Sequence, residues 1–260
     1  KEACLEDDNP QCSSVTEHGV PCWYPSNGGA SLNSNMTMIN TTERNITSSG
    51  NEDVYGLKGT SNLENAVDDV TGEAGAINIT HNSTGKAVGL YGEGNGTVAN
   101  RSGASINIAN NTDGTAVGMH TSLGGTAINE GTVTITGNLN TGTAIGIYGE
   151  GANRIINAEN AIINVTSGNA YGIYLKDGNN SEIANAGTIY ANGDNAHGIY
   201  VDENAHNATI INTGSIYLNG TNTGDAGITL NGGTLRNMSL MSFNGAANLN
   251  DLNGLIYLED

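Results

Sequence analysis

A short motif, glycine followed by a large apolar residue, recurs along most of the chain at nearly constant spacing. Successive copies are separated by 29, 28, 26, 26 and 29 residues. A period of roughly 20 to 50 residues is the signature of repeat architectures, in which each unit packs only against its neighbours. The repeat therefore constrains the fold more than any other feature. The copies are Gly89-Leu90, Gly118-Met119, Gly146-Ile147, Gly172-Ile173, Gly198-Ile199 and Gly227-Ile228, with a weaker early copy at Gly56-Leu57.

An asparagine recurs in phase with this motif, and an apolar alternation follows it within a few residues. Stacked asparagines satisfy polar groups at a bend, because each side-chain amide donates to the copy in the next coil and accepts from the previous one. We therefore predict a structural asparagine ladder inside the fold. Its predicted members are Asn100, Asn129, Asn157, Asn185 and Asn212.

Each repeat unit reads as three short strands. Within residues 170–195, three extended pieces of period two are separated by Gly, Asn and Asp, and no stretch has the apolar 3.6-residue period of a helix. Such a unit cannot bury its apolar face alone, but coils stacked about 4.8 Å apart give every strand parallel neighbours. The prediction is an all-β chain, a β-solenoid of about eight coils that spans roughly 40 Å.

Stacking also predicts columns of inward apolar side chains, because equivalent positions of successive coils lie above one another. These columns are the predicted core. The first contains Leu90, Met119, Ile147, Ile173, Ile199 and Ile228. The second contains Ile106, Val133, Ile163, Ile189 and Ile216. The third contains Ile108, Ile135, Val165, Ala191 and Leu218.

The first part of the chain differs from the rest. We predict an N-terminal cap with atypical first coils over residues 1–55 and regular β-helix repeats over residues 56–260, since an end coil must cover an apolar layer and an open sheet edge. A separate binding module is the alternative. Cys4, Cys12 and Cys22 all lie in the first segment and indicate one local disulfide plus a spare thiol in an oxidising compartment. Zinc binding is disfavoured because CxxC spacing is absent.

Composition excludes several partners. Lys and Arg number 8 against 26 Asp and Glu, and the formal net charge of −18 opposes binding to nucleic acid or to bare anionic membranes. Apolar runs are far shorter than the roughly 20 residues that cross a bilayer, so we expect no direct membrane insertion. The chain opens without a secretory leader and breaks off in strand-like sequence, so we expect it to be part of a longer protein.

The sequence of the repeats resembles the passenger domains of bacterial autotransporters, the exported parts of type V secreted proteins. The likeness covers roughly residues 56–258 and is carried by Asn185-Ala-Gly-Thr-Ile-Tyr-Ala-Asn-Gly-Asp-Asn-Ala-His-Gly-Ile-Tyr-Val201 and by Asn212-Thr-Gly-Ser-Ile-Tyr-Leu218. The resemblance implies a right-handed parallel β-helix, exported through the periplasm and an outer-membrane β-barrel to the cell surface or beyond. Passengers of this kind are adhesins, aggregation factors, toxins or proteases, so the likeness specifies architecture better than activity.

The search for catalytic and metal motifs is mostly negative. The Gly-Asp-Ser-Gly string of protease passengers is absent, and no two histidines have the spacing that places both on one helical face. His120 and Ser122 are interpreted as solvent-facing coil residues, and His197 and His206 as exposed repeat histidines. We predict no cofactor, no metal and no enzymatic activity.

An acidic edge is predicted to follow the Gly-Ile-Tyr strands. We interpret it as a solvated edge, with calcium binding as the alternative. No long insertion is seen between coils, so no wall for a substrate cleft is expected. Because some right-handed β-helices act on polysaccharides, Asp202 and Glu203 are the residues that would carry a carbohydrate-active alternative. The edge contains Glu93, Glu150, Asp177, Asp202 and Glu203.

Aromatic side chains are the most distinctive exterior feature. Strand alternation directs Tyr91, His120, Tyr148, Tyr174 and Tyr200 outward. Stacked tyrosines can simply reinforce a sheet, but tyrosine is also enriched at binding surfaces. The predicted partner-binding residues are Tyr174, Tyr200, Tyr190, Tyr217, Asp202 and Glu203.

The predicted function is non-enzymatic adhesion to host cells or self-association of bacteria. The expected partner is a host cell-surface protein or glycan, or another copy of the chain. Two alternatives stay open: a secreted effector that engages a host receptor in the manner of a toxin or growth factor, and a carbohydrate-active β-helix enzyme.

Overall fold

The fold is described by a computed structural model that covers residues 2–3, 12–17, 20–25, 37–151, 153–220, 225–230, 233–237 and 241–245. Side chains are described for residues 37–151, 153–220, 225–230 and 234–235. Every regular element in these ranges is a β-strand. No helix within them is long and apolar enough to cross a membrane.

The strands form seven complete coils of three strands each, with further strands before and after them. Before the coils lie β1 (Glu2–Ala3), β2 (Cys12–Glu17) and β3 (Val20–Pro25). The first three coils contain β4 (Thr37–Asn40), β5 (Glu43–Ser48), β6 (Val54–Gly59), β7 (Asn62–Asn65), β8 (Ala76–His81), β9 (Ala87–Gly92), β10 (Thr97–Asn100), β11 (Ser105–Asn110) and β12 (Thr115–Thr121).

The later coils repeat this order, with two short extra strands at a corner. The fourth and fifth coils contain β13 (Thr126–Asn129), β14 (Thr132–Thr136), β15 (Thr143–Gly149), β16 (Arg154–Asn157), β17 (Ile162–Thr166) and β18 (Asn169–Leu175). Then come β19 (Gly178–Asn179), β20 (Glu182–Asn185), β21 (Thr188–Gly193), β22 (Asn195–Val201), β23 (Ala205–His206), β24 (Ala208–Asn212), β25 (Ser215–Gly220) and β26 (Ala226–Leu230). An eighth coil begins with β27 (Gly233–Asn237) and β28 (Met241–Gly245).

Each strand of a coil joins a different parallel sheet. Sheet 1 runs β1-β4-β7-β10-β13-β16-β20-β24-β27, sheet 2 runs β5-β8-β11-β14-β17-β21-β25-β28, and sheet 3 runs β6-β9-β12-β15-β18-β22-β26. Strands β19 and β23 form a small parallel pair, and β2 and β3 an antiparallel one. The predicted architecture is confirmed: the chain is a right-handed parallel β-helix with three strands per coil.

The three predicted core columns are also confirmed. Their members pair in register from coil to coil in sheets 2 and 3, and each is at most 4% exposed. A fourth column, on the inner face of sheet 1, was not predicted, because its strands are mostly four residues long and show too little alternation to be read. It contains Met38, Leu63, Val98, Ala127, Ile155, Ile183, Ile210 and Leu235.

The asparagine ladder exists as predicted and is longer than expected. Each side-chain amide nitrogen donates to the amide oxygen of the next coil over 2.7–3.0 Å, and all members are at most 1% exposed. Several amides also donate to backbone carbonyls, as Asn100 does to Thr132 at 3.2 Å. The ladder therefore satisfies buried polar groups without water. Its members are Asn40, Asn65, Asn100, Asn129, Asn157, Asn185 and Asn212.

The glycine of the repeated motif is required by a close approach between coils. A Cβ at Gly146 would lie 2.4 Å from the carbonyl oxygen of Gly172 and 2.3 Å from Cγ2 of Ile163. The strand bends at this column, so that two positions three residues apart, such as Ile145 and Tyr148, both face outward. Sheet 3 thus has two adjacent outward columns.

The structure describes only part of the segment for which an N-terminal cap is predicted. Strands β4 and β5 lie inside the predicted 1–55 segment and pair in register with β7 and β8, while the cap and its boundary stay a prediction. Strand register places Cys22 opposite Val15 and Cys12 opposite Pro25, so the backbone does not set these cysteines face to face. Cys4 lies outside the described residues, and the disulfide stays a prediction.

Candidate functional site

Eight aromatic rings form a continuous band on the outer face of sheet 3, which we call the aromatic ribbon. Neighbouring ring centroids are 4.6–5.5 Å apart, within the range of favourable aromatic pairs. The ribbon uses both outward columns of the sheet and follows the rod through six coils. Its members are Tyr55, Tyr91, His120, Tyr148, Tyr171, Tyr174, His197 and Tyr200.

A second apolar cluster lies beneath the ribbon, outside the main core. Val88, Val117 and Ile145 face outward but are only 1%, 3% and 6% exposed, because the tyrosine rings cover them. Outward aliphatic side chains that are this deeply buried contribute to stability like core residues. The ribbon is therefore in large part a structural layer.

Carboxylates along the border of the ribbon accept hydrogen bonds from its hydroxyls. The hydroxyl of Tyr174 donates to Asp202 at 3.0 Å, and that of Tyr148 donates to Glu150 at 3.3 Å. Burial and the neighbouring carboxylates raise the pKa of both tyrosines. These rings are held in place at their polar tips as well as their faces.

Two histidines are integral to the ribbon, which corrects their predicted exposure. His120 and His197 are 7% and 8% exposed, since tyrosine rings pack on both. Burial lowers the pKa of His197 to about 4 and also lowers the pKa of His120, despite the Glu150 carboxylate at 3.3 Å.

Ser122, also predicted to face solvent, is buried and donates to the carbonyl of Gly92 at 2.6 Å. His206 is exposed, as predicted.

His81 shows why a repeat histidine can be buried. It is fully buried, and its Nε2 bonds the carbonyl of Gly85 at 2.8 Å while its Nδ1 bonds the Ser48 hydroxyl at 2.8 Å. Asn110 occupies the same register position one coil later and donates to the carbonyl of Gly114 at 2.8 Å. His81 therefore closes a corner in the way that an asparagine does, and the serine beside it is a structural partner.

The acidic edge is more engaged than a purely solvated edge would be. Glu93 pairs with Lys58 at 3.3 Å, and Glu150 pairs with Lys176 at 2.8 Å. Asp177 accepts the backbone N–H of Gly151 at 2.6 Å. Glu203 is exposed at the corner. Among the side chains that the structure describes, no group of three or more His, Cys, Asp and Glu is placed to hold a metal ion.

The outer face of sheet 2 is different in character. Tyr190 and Tyr217 stack with centroids 5.0 Å apart and ring planes 15° apart, and they are 38% and 39% exposed. Neither hydroxyl makes a hydrogen bond to any residue that the structure describes. Of the described tyrosines, this pair alone is this exposed.

The surroundings of this pair carry no formal charge. The outward residues of β14, β17, β21 and β25 are hydroxyl and amide side chains with one isoleucine, and none is Asp, Glu, Lys, Arg or His. We call this patch the open face. It consists of Thr132, Thr134, Thr136, Ile162, Asn164, Thr166, Thr188, Tyr190, Asn192, Ser215, Tyr217 and Asn219.

The same column of sheet 2 is closed in its lower coils. Asn107 donates to Asn78 at 2.9 Å, and Asn78 donates to Asn45 at 3.0 Å, so these amides satisfy one another. The ladder stops there because Thr134 takes the next position. Above Thr134, the side chain of Asn164 makes no hydrogen bond to any described residue. The same is true of Asn219, which lies in the neighbouring outward column above Asn192.

A hairpin is inserted at the corner between sheets 1 and 2, so the expectation that no long insertion interrupts the coils is wrong. A groove lies beside this hairpin. Residues 66–75 connect β7 to β8 and form a short hairpin, with Val67 bridged to Ala74 and the tip residue Val70 94% exposed. The groove beside it has a volume of about 620 Å³. On its floor, Arg101 bonds Glu64 at 2.5 Å and Glu130 at 3.5 Å.

The six predicted partner-binding residues therefore divide into two groups. Tyr174, Tyr200, Asp202 and Glu203 lie along sheet 3 and its border, whereas Tyr190 and Tyr217 lie on sheet 2. Their role in binding stays a prediction. The sequence reading missed that the second group lies beside Asn164 and Asn219, whose amides make no hydrogen bond to any described residue. The replacement of asparagine by tyrosine in the column of Asn78 and Asn107 was the available signal.

Comparison of the chain with protein-family models, with curated proteins and with solved structures found no match.

Proposed function

We propose that the chain is a passenger of the autotransporter type that acts as a non-enzymatic binding rod, through adhesion to host cells or self-association. The open face of sheet 2 carries the proposal. It presents the exposed Tyr190–Tyr217 stack together with the amides of Asn164 and Asn219, which make no hydrogen bond to any described residue. Its partner is a host cell-surface protein or glycan, or another copy of the chain.

The composition of the open face supports a binding role. Antibody binding loops are enriched in tyrosine, serine and asparagine, since tyrosine supplies rigid contact area and the small polar residues supply adaptable hydrogen bonds. The face rests on the fully buried side chains Ile163, Ile189 and Ile216, so it is held flat. Little ordering entropy is lost when a partner binds such a surface.

The setting of the proposal is export through the periplasm to the bacterial surface or medium. Two features support this setting: the β-helix architecture, and the likeness of the repeat wording to autotransporter passengers. An extended rod of stacked coils displays its faces at a distance from the surface that carries it.

The experiment measures adhesion of the purified chain, coupled to fluorescent beads, to cultured epithelial cells, and self-association of the chain by sedimentation. We expect beads to adhere or the chain to associate, and replacement of Tyr190→Ala together with Tyr217→Ala to reduce that binding about tenfold or more, as loss of an interfacial aromatic pair does. The matched control is Leu139→Ala, which truncates a side chain that is 59% exposed elsewhere on the rod.

Two results would contradict the proposal. A chain that neither adheres to cells nor associates with itself has no such function, and binding that is equal in the double variant and the Leu139→Ala control does not use the open face. A cellular response that depends on residues 1–30 and not on the tyrosine pair would support the effector alternative instead.

A further inference from the structure

We infer that the open face binds a neutral, extended glycan that lies along the rod. The inference rests on the proposed function and names the partner of the same face. It follows from three properties of the face: polar groups that make no hydrogen bond to any described residue, the lack of charge and the regular spacing along the rod.

The polar groups of the open face favour a partner that can replace their bonds to water. The amides of Asn164 and Asn219 each offer donors and an acceptor, and the hydroxyls of Tyr190 and Tyr217 add two more sites. An apolar protein surface would desolvate these groups without replacing their bonds to water, which costs affinity. Sugar hydroxyls donate and accept at once, so a glycan replaces those bonds.

The tyrosine stack supplies the apolar part of such a site. The exposed parts of its rings can contact the C–H groups of a sugar ring, while the hydroxyl tips reach the sugar hydroxyls. Ile162, which is 36% exposed, adds apolar surface one coil before Tyr190. Apolar and polar groups thus alternate over the face, as they do over a sugar.

Charge selects a neutral glycan over an anionic one. The open face has no cationic side chain among its residues, and the chain carries a formal net charge of −18. A sulfated or carboxylated glycan would be repelled by that charge without any local compensation. A cationic ligand would meet no carboxylate on this face.

The spacing of the face suits a polymer with a short repeat. Equivalent residues of successive coils, such as Asn192 and Asn219 or Thr188 and Ser215, stand one strand spacing apart, about 4.8 Å. Successive units of an extended chain parallel to the rod would meet similar groups in successive coils. In the lower coils Asn45, Asn78 and Asn107 bond one another, so the site ends where that ladder begins.

The test uses the full chain on an array of neutral oligosaccharides, including cellohexaose and chitohexaose, beside heparin and sialylated oligosaccharides. We expect retention on at least one neutral glycan and on none of the anionic ones. Asn164→Ala combined with Asn219→Ala should reduce that retention about tenfold, as removal of two hydrogen-bonding amides would. The matched control is Asn78→Ala, an amide in the same column as Asn164 that lies outside the site.

Retention on anionic glycans alone, on no glycan at all, or equally in the Asn164/Asn219 and Asn78 variants would overturn the inference. A second measurement separates it from the proposed function. If adhesion to cells depends on Tyr190 and Tyr217 but survives periodate oxidation of the cell glycans and is lost on protease treatment, the rod binds a protein: the proposed function stands and the glycan inference falls. If adhesion does not depend on the tyrosine pair, the proposed function itself falls.

Discussion

The outer faces of sheets 2 and 3 both carry stacked tyrosines, yet the two sets are held in different ways. On sheet 3, rings cover an aliphatic cluster, contact several neighbours and donate hydroxyls to carboxylates, as Tyr174 does to Asp202. On sheet 2, Tyr190 and Tyr217 contact each other, and their hydroxyls make no hydrogen bond to any residue that the structure describes. The same residue type in the same repeat therefore serves packing on one face and remains available to a partner on the other.

The backbone explains this difference. In sheet 3 the glycine column brings two outward columns together, so that a ring such as Tyr174 reaches both Tyr171 and Tyr200. Sheet 2 lacks that bend, and its outward residues alternate strictly with inward ones. A ring on sheet 2 has few neighbours to pack on and stays exposed.

The largest effect is expected from filling the close approach between coils at the glycine column of sheet 3. Gly146→Ala places a methyl group against the carbonyl oxygen of Gly172 and Cγ2 of Ile163, and overpacking of this kind costs about 3 kcal/mol. Urea unfolding followed by circular dichroism measures the loss. Thr134→Ala, on the unbent sheet 2, should change the free energy of unfolding by no more than about 0.5 kcal/mol. If the two variants lose the same free energy of unfolding, a glycine is not required at this column of sheet 3.

A smaller effect should separate the two tyrosine sets directly. Tyr174→Ala removes a half-buried ring, its aromatic contacts and the hydrogen bond to Asp202, so we expect a loss of about 2 kcal/mol in the free energy of unfolding. Tyr217→Ala should cost about 0.5 kcal/mol or less, because the residue is 39% exposed and its ring contacts only one other described ring, that of Tyr190. Similar losses for both variants in the same urea titration would remove the distinction between ribbon and open face.

The third expectation is a pH dependence confined to the ribbon. Burial lowers the pKa of His197 to about 4, below the value near 6.5 that it has when unfolded. Between these values the unfolded chain binds more protons, so the stability contributed by neutral His197 is full above about pH 6.5 and is lost as the pH falls toward 4. From pH 7 to pH 5 this loss is about 2 kcal/mol.

Comparison of unfolding at pH 7 and pH 5 isolates this contribution from that of other titrating groups. His197→Gln should show a smaller drop in stability than the unchanged chain, whereas His206→Gln, at an exposed site, should show the same drop. Binding through the open face, which contains no histidine or carboxylate, should be equal at the two pH values as long as the rod stays folded. An unchanged drop in the His197 variant would contradict the buried, neutral state of this ring.

The interior of the rod could be predicted from the sequence, because it depends on two simple regularities. Period-two alternation identifies inward positions such as Ile163 and Val165, and the repeat stacks them. The asparagine ladder follows in the same way. The asparagine column can also be followed backwards in the sequence to Asn65. Asn65 and Asn100 are 35 residues apart, whereas later neighbours in the column are 27–29 residues apart. The longer spacing indicates the inserted hairpin.

The exterior could be predicted only in part. Alternation directed Tyr148 outward correctly but could not show that Ile145, three residues earlier, faces outward too, because a single bend at glycine breaks the pattern. It also could not distinguish an amide such as Asn78, which donates to Asn45, from one such as Asn164, which makes no hydrogen bond to any described residue. That distinction depends on which residue occupies the same position one coil away, and so on register at the level of single side chains.

The asparagine ladder also limits where insertions can be accepted as such a protein evolves. Every rung must meet the next, so an insertion within a strand would break the chain of amides, whereas an insertion at a corner need not. The coil between Asn65 and Asn100 shows this tolerance: it holds 35 residues, yet its rungs are joined at 3.0 Å, close to the 2.9 Å of the following pair. The rod can therefore lengthen by duplication of whole coils, and new segments can be inserted at the corners. The stacking of the interior is unchanged in both cases.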